Sequence, residues 1–166
     1  MPLFIDIGGF DGDSAKRAMD DGYEVIVFEP NERMDMEGVR WIHAAAWNED
    51  GIGRLYERAL GDTHDMGLSL IWEKSNIDKD HYQEVKTINT GKWLTELDRD
   101  VDILKIDAEG AEYLIIESIL DNFDYNRIKE WRVEDHSGYI HSDEWAKKKE
   151  EVLKRVADLN IKLQKW

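Results

Sequence analysis

The chain contains no cysteine among its 166 residues. Disulfides, thiolate nucleophiles and zinc sites built on cysteine sulfur are therefore excluded. No apolar run approaches the roughly 18 residues of a membrane helix, and the first residues lack the basic start and long apolar stretch of a signal peptide. We therefore expect a cytoplasmic protein without a membrane partner.

Basic residues are scarce: 22 Lys and Arg face 37 Asp and Glu, which gives a formal charge of −15. Such a chain is repelled by nucleic acid, which is therefore not predicted as a partner. The dense basic run at 147–149 is followed at once by two glutamates, as is typical of the solvated side of a helix. A hydrophobic fraction of 42% in a chain of this length predicts one folded domain over residues 1–166.

Short apolar runs alternate with segments of helical periodicity along most of the chain. The predicted strands cover residues 3–7, 24–28, 39–46, 53–58, 82–89, 101–106, 127–134 and 161–166. The predicted helices cover residues 14–21, 93–97 and 109–120, and a last helix begins at Ser142. This alternation predicts an α/β fold in which helices cover both faces of a mostly parallel central sheet.

Residues 51–90 are the least regular part of the chain. The two strands predicted there, 53–58 and 82–89, are candidates to pair with each other. Between them lies a polar stretch that contains His64, Met66, Trp72 and His81. Long loops in small domains are often functional or mobile. We expect an irregular insertion that either covers the substrate or is a mobile loop, and the sequence leaves both options open.

The first predicted strand runs directly into a glycine turn at Gly8 and Gly9. Glycines let a backbone approach a ligand closely, and the following helix offers unpaired amide groups. The three-glycine spacing of dinucleotide-binding folds fails, because its positions hold Gly8, Phe10 and Asp13. The turn carries Asp11 and Asp13 but no lysine, which excludes a Walker-type phosphate loop and favours a ligand with a cationic end. Glu29 follows about twenty residues later, where an acidic residue accepts the hydroxyls of a ribose.

Further motifs follow this turn in order along the chain: Phe28-Glu29-Pro30, His43-Ala44-Ala45-Ala46-Trp47, Met66-Gly67-Leu68-Ser69-Leu70, and Asp102-Ile103-Leu104-Lys105-Ile106-Asp107-Ala108-Glu109-Gly110-Ala111-Glu112. Together with residues 4–14 they resemble the FkbM-type methyltransferases that depend on S-adenosylmethionine (SAM). The last motif is the most specific. The resemblance covers roughly residues 3–136 and implies a Rossmann-like class I methyltransferase fold, shortened at its C-terminus.

The resemblance also implies which residues bind SAM as the cofactor. Asp6, Gly8 and the loop after them would contact its methionine part, Glu29 its ribose, and the region 45–47 its adenine. The full predicted set is Asp6, Gly8, Gly9, Phe10, Asp11, Ser14, Glu29, Pro30, Ala46, Trp47 and Asp107. Gly9-Phe10 stands where the family commonly has Ala-Asn, which removes one side-chain hydrogen bond near the cofactor.

Candidate catalytic residues lie where two predicted central strands end, because ligands of open parallel sheets bind at that edge. They are Asp107 and Glu109 after 101–106, and Glu134 and His136 after 127–134. His136 has the side chain best suited to act as a base near neutral pH, and we predict His136, Asp107 and Glu109 as catalytic. The alternatives are a surface histidine, a helix cap at Asp107, and helix-dipole partners at Glu109 and Glu112. No spacing rule supports a metal site, so none is predicted.

The predicted function is SAM-dependent methylation of a small-molecule acceptor, with the oxygen of a sugar or natural-product-like scaffold as the methyl acceptor. The acceptor class comes from the resemblance. The alternative is a relative that binds SAM or S-adenosylhomocysteine (SAH) without catalysis, as a sensor or a partner's subunit. An NAD-dependent oxidoreductase is disfavoured by the failed glycine spacing. A homodimer that completes the substrate site is an option for so small a fold.

Overall fold

The computed structural model describes residues 1–31, 35–59 and 67–166, which form nine strands, four α-helices and two single-turn 3-10 helices. The strands are β1 (Leu3–Ile7), β2 (Glu24–Phe28), β3 (Arg40–Ile42), β4 (Ala45–Trp47), β5 (Gly51–Arg58), β6 (Ile77–Asn89), β7 (Val101–Ile106), β8 (Ile128–Val133) and β9 (Leu163–Lys165). The helices are α1 (Asp13–Asp20), α2 (Thr90–Leu97), α3 (Glu112–Asn122) and α4 (Asp143–Asp158), and the 3-10 turns are Tyr125–Arg127 and Ser137–Tyr139.

Six strands form one sheet in the order β3-β2-β1-β7-β8-β9, and every neighbouring pair is parallel. The chain moves outward from β1 to β3 and then returns to place β7 on the other side of β1. The two central strands therefore leave their carboxyl ends in a crevice at the point where the strand order reverses. Open parallel sheets bind ligands in that crevice.

Helices cover both faces of this sheet, as predicted. On one face, α1 packs through Ala15 and Ala18 against a cluster that includes Phe4 and Val27. On the other face, buried side chains of α2, α3 and α4 share the main core with Ile5 and its strand neighbours. Successive strand residues point to opposite faces of the sheet. Because helices cover both faces, β1 is buried along its whole length. A short continuous apolar run is the pattern expected of such a strand.

The third predicted strand, residues 39–46, was wrong as one element. Arg40–Ile42 pairs with β2 in the main sheet, whereas Ala45–Trp47 pairs with β6 in a separate sheet of order β4-β6-β5. Between them the amide of Ala44 donates to the carbonyl of Ile42 at 2.8 Å, which bends the chain out of the first sheet. Three consecutive alanines carry no turn signal, so the bend is not visible in the sequence.

The pairing predicted within residues 51–90 is confirmed: β5 and β6 are antiparallel from Gly51↔Thr87 onward. The strands are longer than predicted, and the register shifts at Tyr56 and Glu57, as at a β-bulge. The base of the hairpin is fixed by Asn89, whose amide donates to Asp50 Oδ1 at 3.0 Å and whose side chain donates to the Asn48 carbonyl at 2.6 Å. His64 and Met66 lie outside the described residues.

Two further boundaries follow from backbone geometry. The helix predicted to begin at Glu109 begins at Glu112, because Glu109 and Gly110 have φ values of +51° and +113°. These left-handed conformations cannot continue into a helix. The last strand is Leu163–Lys165, shorter than the predicted 161–166. Over the described part of the chain, every helix is too short or too polar to span a bilayer.

Candidate functional site

A cavity of about 280 Å³ lies at the carboxyl ends of the central strands. The main sheet supplies the turns and acidic side chains of one wall, and β4, β5 and the segment 67–70 supply an apolar wall. The lining residues are Ile7, Gly8, Phe10, Phe28, Glu29, Pro30, Ala45, Ala46, Leu55, Gly67, Leu68, Leu70, Asp107, Ala108, Glu109, Ala111, Glu134 and His136. The cavity therefore brings together most of the residues predicted for cofactor binding and all three predicted for catalysis.

The glycine turn is locked against the end of β7. Gly8 has a φ of +82°, and a Cβ there would lie 1.8 Å from the backbone oxygen of Asp107. A Cβ at Gly9 would lie 2.2 Å from Cγ1 of Val27 in β2. Side chains are thus excluded at both positions by neighbouring strands. The sequence predicted that the backbone at these glycines lies close to a ligand. In the structure, it lies close to the ends of β7 and β2.

Glu29 connects the turn to the end of β2. Its side chain accepts hydrogen bonds from the backbone amides of Phe10 and Asn31, each at 2.9 Å. Burial raises the pKa of Glu29, and the two amide hydrogen bonds oppose this shift. A carboxylate oxygen can accept more than one hydrogen bond. Glu29 therefore retains acceptor capacity where it borders the cavity.

A buried lysine joins the two central strands behind the cavity. The ammonium of Lys105 donates to Asp6 Oδ1 at 2.8 Å and to the Gly8 carbonyl at 3.0 Å, and lies 3.5 Å from Asp107 Oδ2. It also faces the ring of Trp166, at 5.5 Å from the ring centre. Asp6 is fully buried, and its Oδ2 has no hydrogen-bond partner within the described part of the chain. The strand motifs contained both residues, but the sequence analysis gave Lys105 no role.

Asp107 lines the cavity at the end of β7. Burial raises the pKa of its carboxyl to about 6, while the charge of Lys105 acts in the opposite direction. At neutral pH the group is ionised, and its affinity for a proton is greater than that of an exposed aspartate. This pKa is close to the range in which a carboxylate can act as a general base.

His136 lies among carboxylates. Its Nδ1 is 2.9 Å from Oε1 of buried Glu112, and its Nε2 is 3.8 Å from Glu109 and 3.7 Å from Glu134. Burial alone would lower the pKa of His136, but the hydrogen bond to Glu112 and the negative charges around the ring raise it to about 9. The pKa of His136 therefore lies above the near-neutral value that was predicted for a base. In the unliganded protein His136 is an imidazolium, and its catalytic role stays a prediction.

Glu109 is held by the segment that forms the apolar wall. Its carboxylate pairs with Lys74, which is 1% exposed, and its carbonyl accepts from the hydroxyl of Ser69 at 2.7 Å. Sequence reasoning missed Lys74, which lies in the polar stretch where no periodicity singles it out. It also treated Glu112 as a helix-dipole partner, whereas Glu112 receives the amides of Gly110 and Ala108 as well as the ring of His136.

Asp107, Glu109 and His136 offer three ligand atoms within 4.8 Å of one another, a grouping that can hold a metal ion. Lys74 already pairs with Glu109, and His136 itself carries a positive charge in this surrounding. The carboxylates are thus compensated by the protein's own cations. These side chains form an ion-pair network, and the absence of a metal centre stays a prediction.

Five residues predicted to bind the cofactor do not line the cavity: Asp6, Gly9, Asp11, Ser14 and Trp47. Asp6 and Gly9 lie immediately behind it. Asp11 is exposed and accepts from the Asp13 amide at 3.1 Å, and Trp47 borders a neighbouring cavity of about 240 Å³. Their binding roles stay predictions. Leu55, Leu68 and Leu70 were not predicted, because their place in the site depends on the course of the hairpin.

The family model described as Methyltransferase FkbM domain matches residues 6–155 of the chain. No curated protein and no solved structure matches it at a significant level. The matched span includes the glycine turn, Glu29, the β7 motif and His136, and it contains every residue that lines the cavity. The chain belongs to the FkbM methyltransferase family.

Proposed function

We propose that the protein is a SAM-dependent methyltransferase that methylates a hydroxyl group of a small molecule, of the sugar or natural-product class. The observation that carries the proposal is the charge of the cavity. Four carboxylates line it, those of Glu29, Asp107, Glu109 and Glu134. Lys105 and Lys74 pair with Asp107 and Glu109 from behind the lining, and the imidazolium of His136 is the positive charge in the lining itself, so negative charge remains in excess. An acidic cavity at the switch point of a parallel sheet suits a ligand with a positive end.

The residues present fit SAM, which would carry a sulfonium and an ammonium group. Asp6, directly behind the glycine turn, has a buried oxygen with no hydrogen-bond partner among the described residues, which a bridging water would connect to a cationic donor. Glu29 retains acceptor capacity for ribose hydroxyls. Phe28, Ala45 and Ala46 offer an apolar surface next to Glu29 for an adenine ring. When bound, the cofactor supplies an activated methyl group.

The protein's part in the reaction is to align the acceptor, remove its proton and exclude water. Asp107 is the residue we assign to accept the hydroxyl proton, at its cavity-facing carboxylate, because its pKa of about 6 leaves it ionised at neutral pH. His136, as an imidazolium, donates a hydrogen bond to Glu112 and balances the charge of Glu109 and Glu134 beside it. Leu55, Leu68 and Leu70 cover the opposite side and displace water from the acceptor.

The same charges restrict the acceptor. An anionic acceptor such as a carboxylate or phosphate would meet the carboxylates of Glu109 and Glu134 in the cavity lining. A neutral hydroxyl compound meets no such repulsion and can use its other hydroxyls as donors to these carboxylates. The apolar wall provides contact for the ring or chain that carries the hydroxyl. Neutral polyhydroxy compounds are therefore the first acceptors to test.

Thermal shift with SAM, SAH, NAD and ATP tests the cofactor assignment. A ligand at 100 times its dissociation constant should stabilise the fold by about 2.7 kcal/mol, or roughly 5–10 °C. We expect selective shifts with SAM and SAH, lost in Glu29→Gln and kept in Glu37→Gln, which changes an exposed glutamate. A larger shift with NAD, or none with SAM and SAH, would reject the proposal.

Transfer of a labelled methyl group from SAM to a panel of neutral sugars, phenols, amines and carboxylic acids tests the reaction. We expect labelled product from a neutral hydroxyl compound, and a 10²- to 10⁴-fold slower rate in Asp107→Asn at unchanged SAH affinity. Product only from amines or acids would reject the acceptor class. Binding of SAH without turnover on any compound would favour the alternative of a non-catalytic SAM or SAH binder.

A further inference from the structure

Lys105 is a buried charge that the proposed reaction does not use. It is 2% exposed and lies on β7 directly opposite Asp6 of β1 in the parallel register. Burying an ammonium group is unfavourable unless it is paired and hydrogen-bonded. One carboxylate would be enough to neutralise it. Here the ammonium contacts three groups: the Asp6 carboxylate, the Gly8 carbonyl and the Asp107 carboxylate.

These three contacts join the ends of two neighbouring strands, β1 and β7, in the main-sheet wall of the cavity. Gly8 is part of the turn to which we assign the cofactor, and Asp107 is the proposed base at the end of the neighbouring strand. The backbones of these two strand ends also meet, since the Asp107 amide donates to the Ile7 carbonyl at 2.9 Å. The Gly8 and Gly9 amides donate to the Phe28 carbonyl at 2.9 and 3.4 Å. These backbone bonds involve neither the Asp107 carboxylate nor the Gly8 carbonyl oxygen. The ammonium of Lys105 holds both of these groups.

We propose that Lys105 is a positioning residue, which ties the Gly8 peptide and the Asp107 carboxylate to one ammonium group and so fixes the distance between methyl donor and base. Catalysis by alignment is sensitive to displacements of about 1 Å. The inference rests on the proposed function for its catalytic meaning. The tether itself is a property of the ligand-free protein and can be measured there.

The decisive comparison is between Asp6→Asn and the double variant Asp6→Asn/Lys105→Met. Asp6→Asn removes the charge beside Lys105 but leaves the contacts to Gly8 and Asp107. The double variant removes those contacts as well, without leaving Asp6 charged and unpaired. Amide hydrogen exchange at Gly8 and Phe10, which bond to Phe28 and Glu29, reports the order of the turn without any ligand. Calorimetry with SAH reports the effect on the cofactor side.

We expect the turn amides of Asp6→Asn to exchange at close to the wild-type rate, and those of the double variant to exchange at least tenfold faster. SAH affinity should fall at least tenfold between the same two variants. Equal exchange and equal affinity in both would overturn the proposal, because Lys105 would then only neutralise Asp6. If the double variant does not fold, Lys105→Arg replaces it. Arginine keeps the positive charge but does not place one ammonium nitrogen against all three groups.

A matched control removes the other buried lysine of the site. Lys74→Met/Glu109→Gln deletes a buried ion pair that joins the two walls, and it leaves the contacts of Lys105 to Asp6 and Gly8 in place. Its Gly8 and Phe10 amides should exchange at the wild-type rate. Faster exchange in this control would mean that any loss of buried charge loosens the turn, which also contradicts the proposal. If SAH does not bind the wild-type protein, the proposed function fails while the exchange result still decides the tether.

Discussion

The two walls of the cavity are built in different ways. The wall around the glycine turn comes from central parallel strands in which β1 is buried at every position and β2 at four of five. The wall around Leu55 comes from an antiparallel hairpin in which β6 exposes six consecutive residues, 79–84. The proposed cofactor side is thus part of the main core, whereas the proposed acceptor side is a satellite with a small cluster of its own.

This difference indicates which parts of the site can vary without loss of the fold. A central parallel strand is fixed from two neighbouring strands and from both faces, so its end is placed accurately. The hairpin is fixed at its base by Asn89 and along one face by a few apolar contacts. We expect the first wall to respond to substitution with loss of stability, and the second with smaller, local effects.

The largest contrast should come from truncating one leucine on each side. Leu104 in β7 is fully buried and Leu55 in β5 is 4% exposed. Leu→Ala substitutions in cores lower the free energy of unfolding by about 2–5 kcal/mol. We expect Leu104→Ala near the upper end and Leu55→Ala near the lower end, measured by urea denaturation. Equal losses would mean that the hairpin is as firmly integrated into the fold as the central sheet.

Gly8→Ala should lower the free energy of unfolding by about 3 kcal/mol or more, because it adds a left-handed alanine and a contact of 1.8 Å with the Asp107 carbonyl. Gly22→Ala is its control, since Gly22 has a φ of +86° but an added Cβ meets no atom within 4 Å. That variant should lose only about 1 kcal/mol. Similar losses in the two would show that the turn can move away from β7.

The pH dependence of stability should report the carboxylates around His136. Its pKa in the folded protein, about 9, lies above the usual 6.5, so its stabilising effect is complete below pH 6.5 and is lost as the pH rises towards 9. The difference in unfolding free energy between wild type and His136→Asn should therefore decrease by about 3 kcal/mol over this range. Exposed His141 provides the control, and His141→Asn should follow the wild-type curve. A constant difference would contradict the assigned ion pairs.

The smallest effect is expected at the surface of the hairpin. The guanidinium of Arg54 lies over the ring of Tyr82 at 4.6 Å, and Tyr82 is 43% exposed. Exposed contacts of this kind contribute about 0.5–1 kcal/mol. A double-mutant cycle with Arg54→Met and Tyr82→Leu, followed by thermal denaturation, should give a coupling energy in that range. A coupling above about 2 kcal/mol would place the hairpin surface among the main stabilising features.

Three strands of the central sheet could be predicted from the sequence to the residue. Strands 3–7, 24–28 and 101–106 agree with the structure because a strand buried on both faces is a continuous apolar run with clear ends. The glycine turn and Glu29 could be found for a related reason, since their spacing follows from one strand–helix–strand unit. Asp107 and His136 could be placed near one another because both follow parallel neighbouring strands.

The remainder depended on contacts that no local pattern encodes. The bend at Ala44 arises because one alanine run serves two sheets, and either half alone is a normal strand. The charge state of His136 is set by Glu112, 24 residues away, and by carboxylates on two strand ends. Lys74 reaches Glu109 from a stretch without periodicity. Each of these features requires knowledge of which distant segments meet.

The bend at Ala44 also has a consequence for how new specificities can be made. The chain leaves the parallel sheet there and returns to it only through α2, after Asn89 has bonded to Asn48 and Asp50. Residues 51–88 are thus an insertion whose two ends are held together by the side chains of Asp50 and Asn89, which lie outside it. A hairpin of different length and sequence grafted between Asp50 and Asn89 would keep the glycine turn, Glu29 and Lys105 unchanged. Under the proposed function, acceptor choice and methyl-donor binding would therefore be separable traits of one small fold.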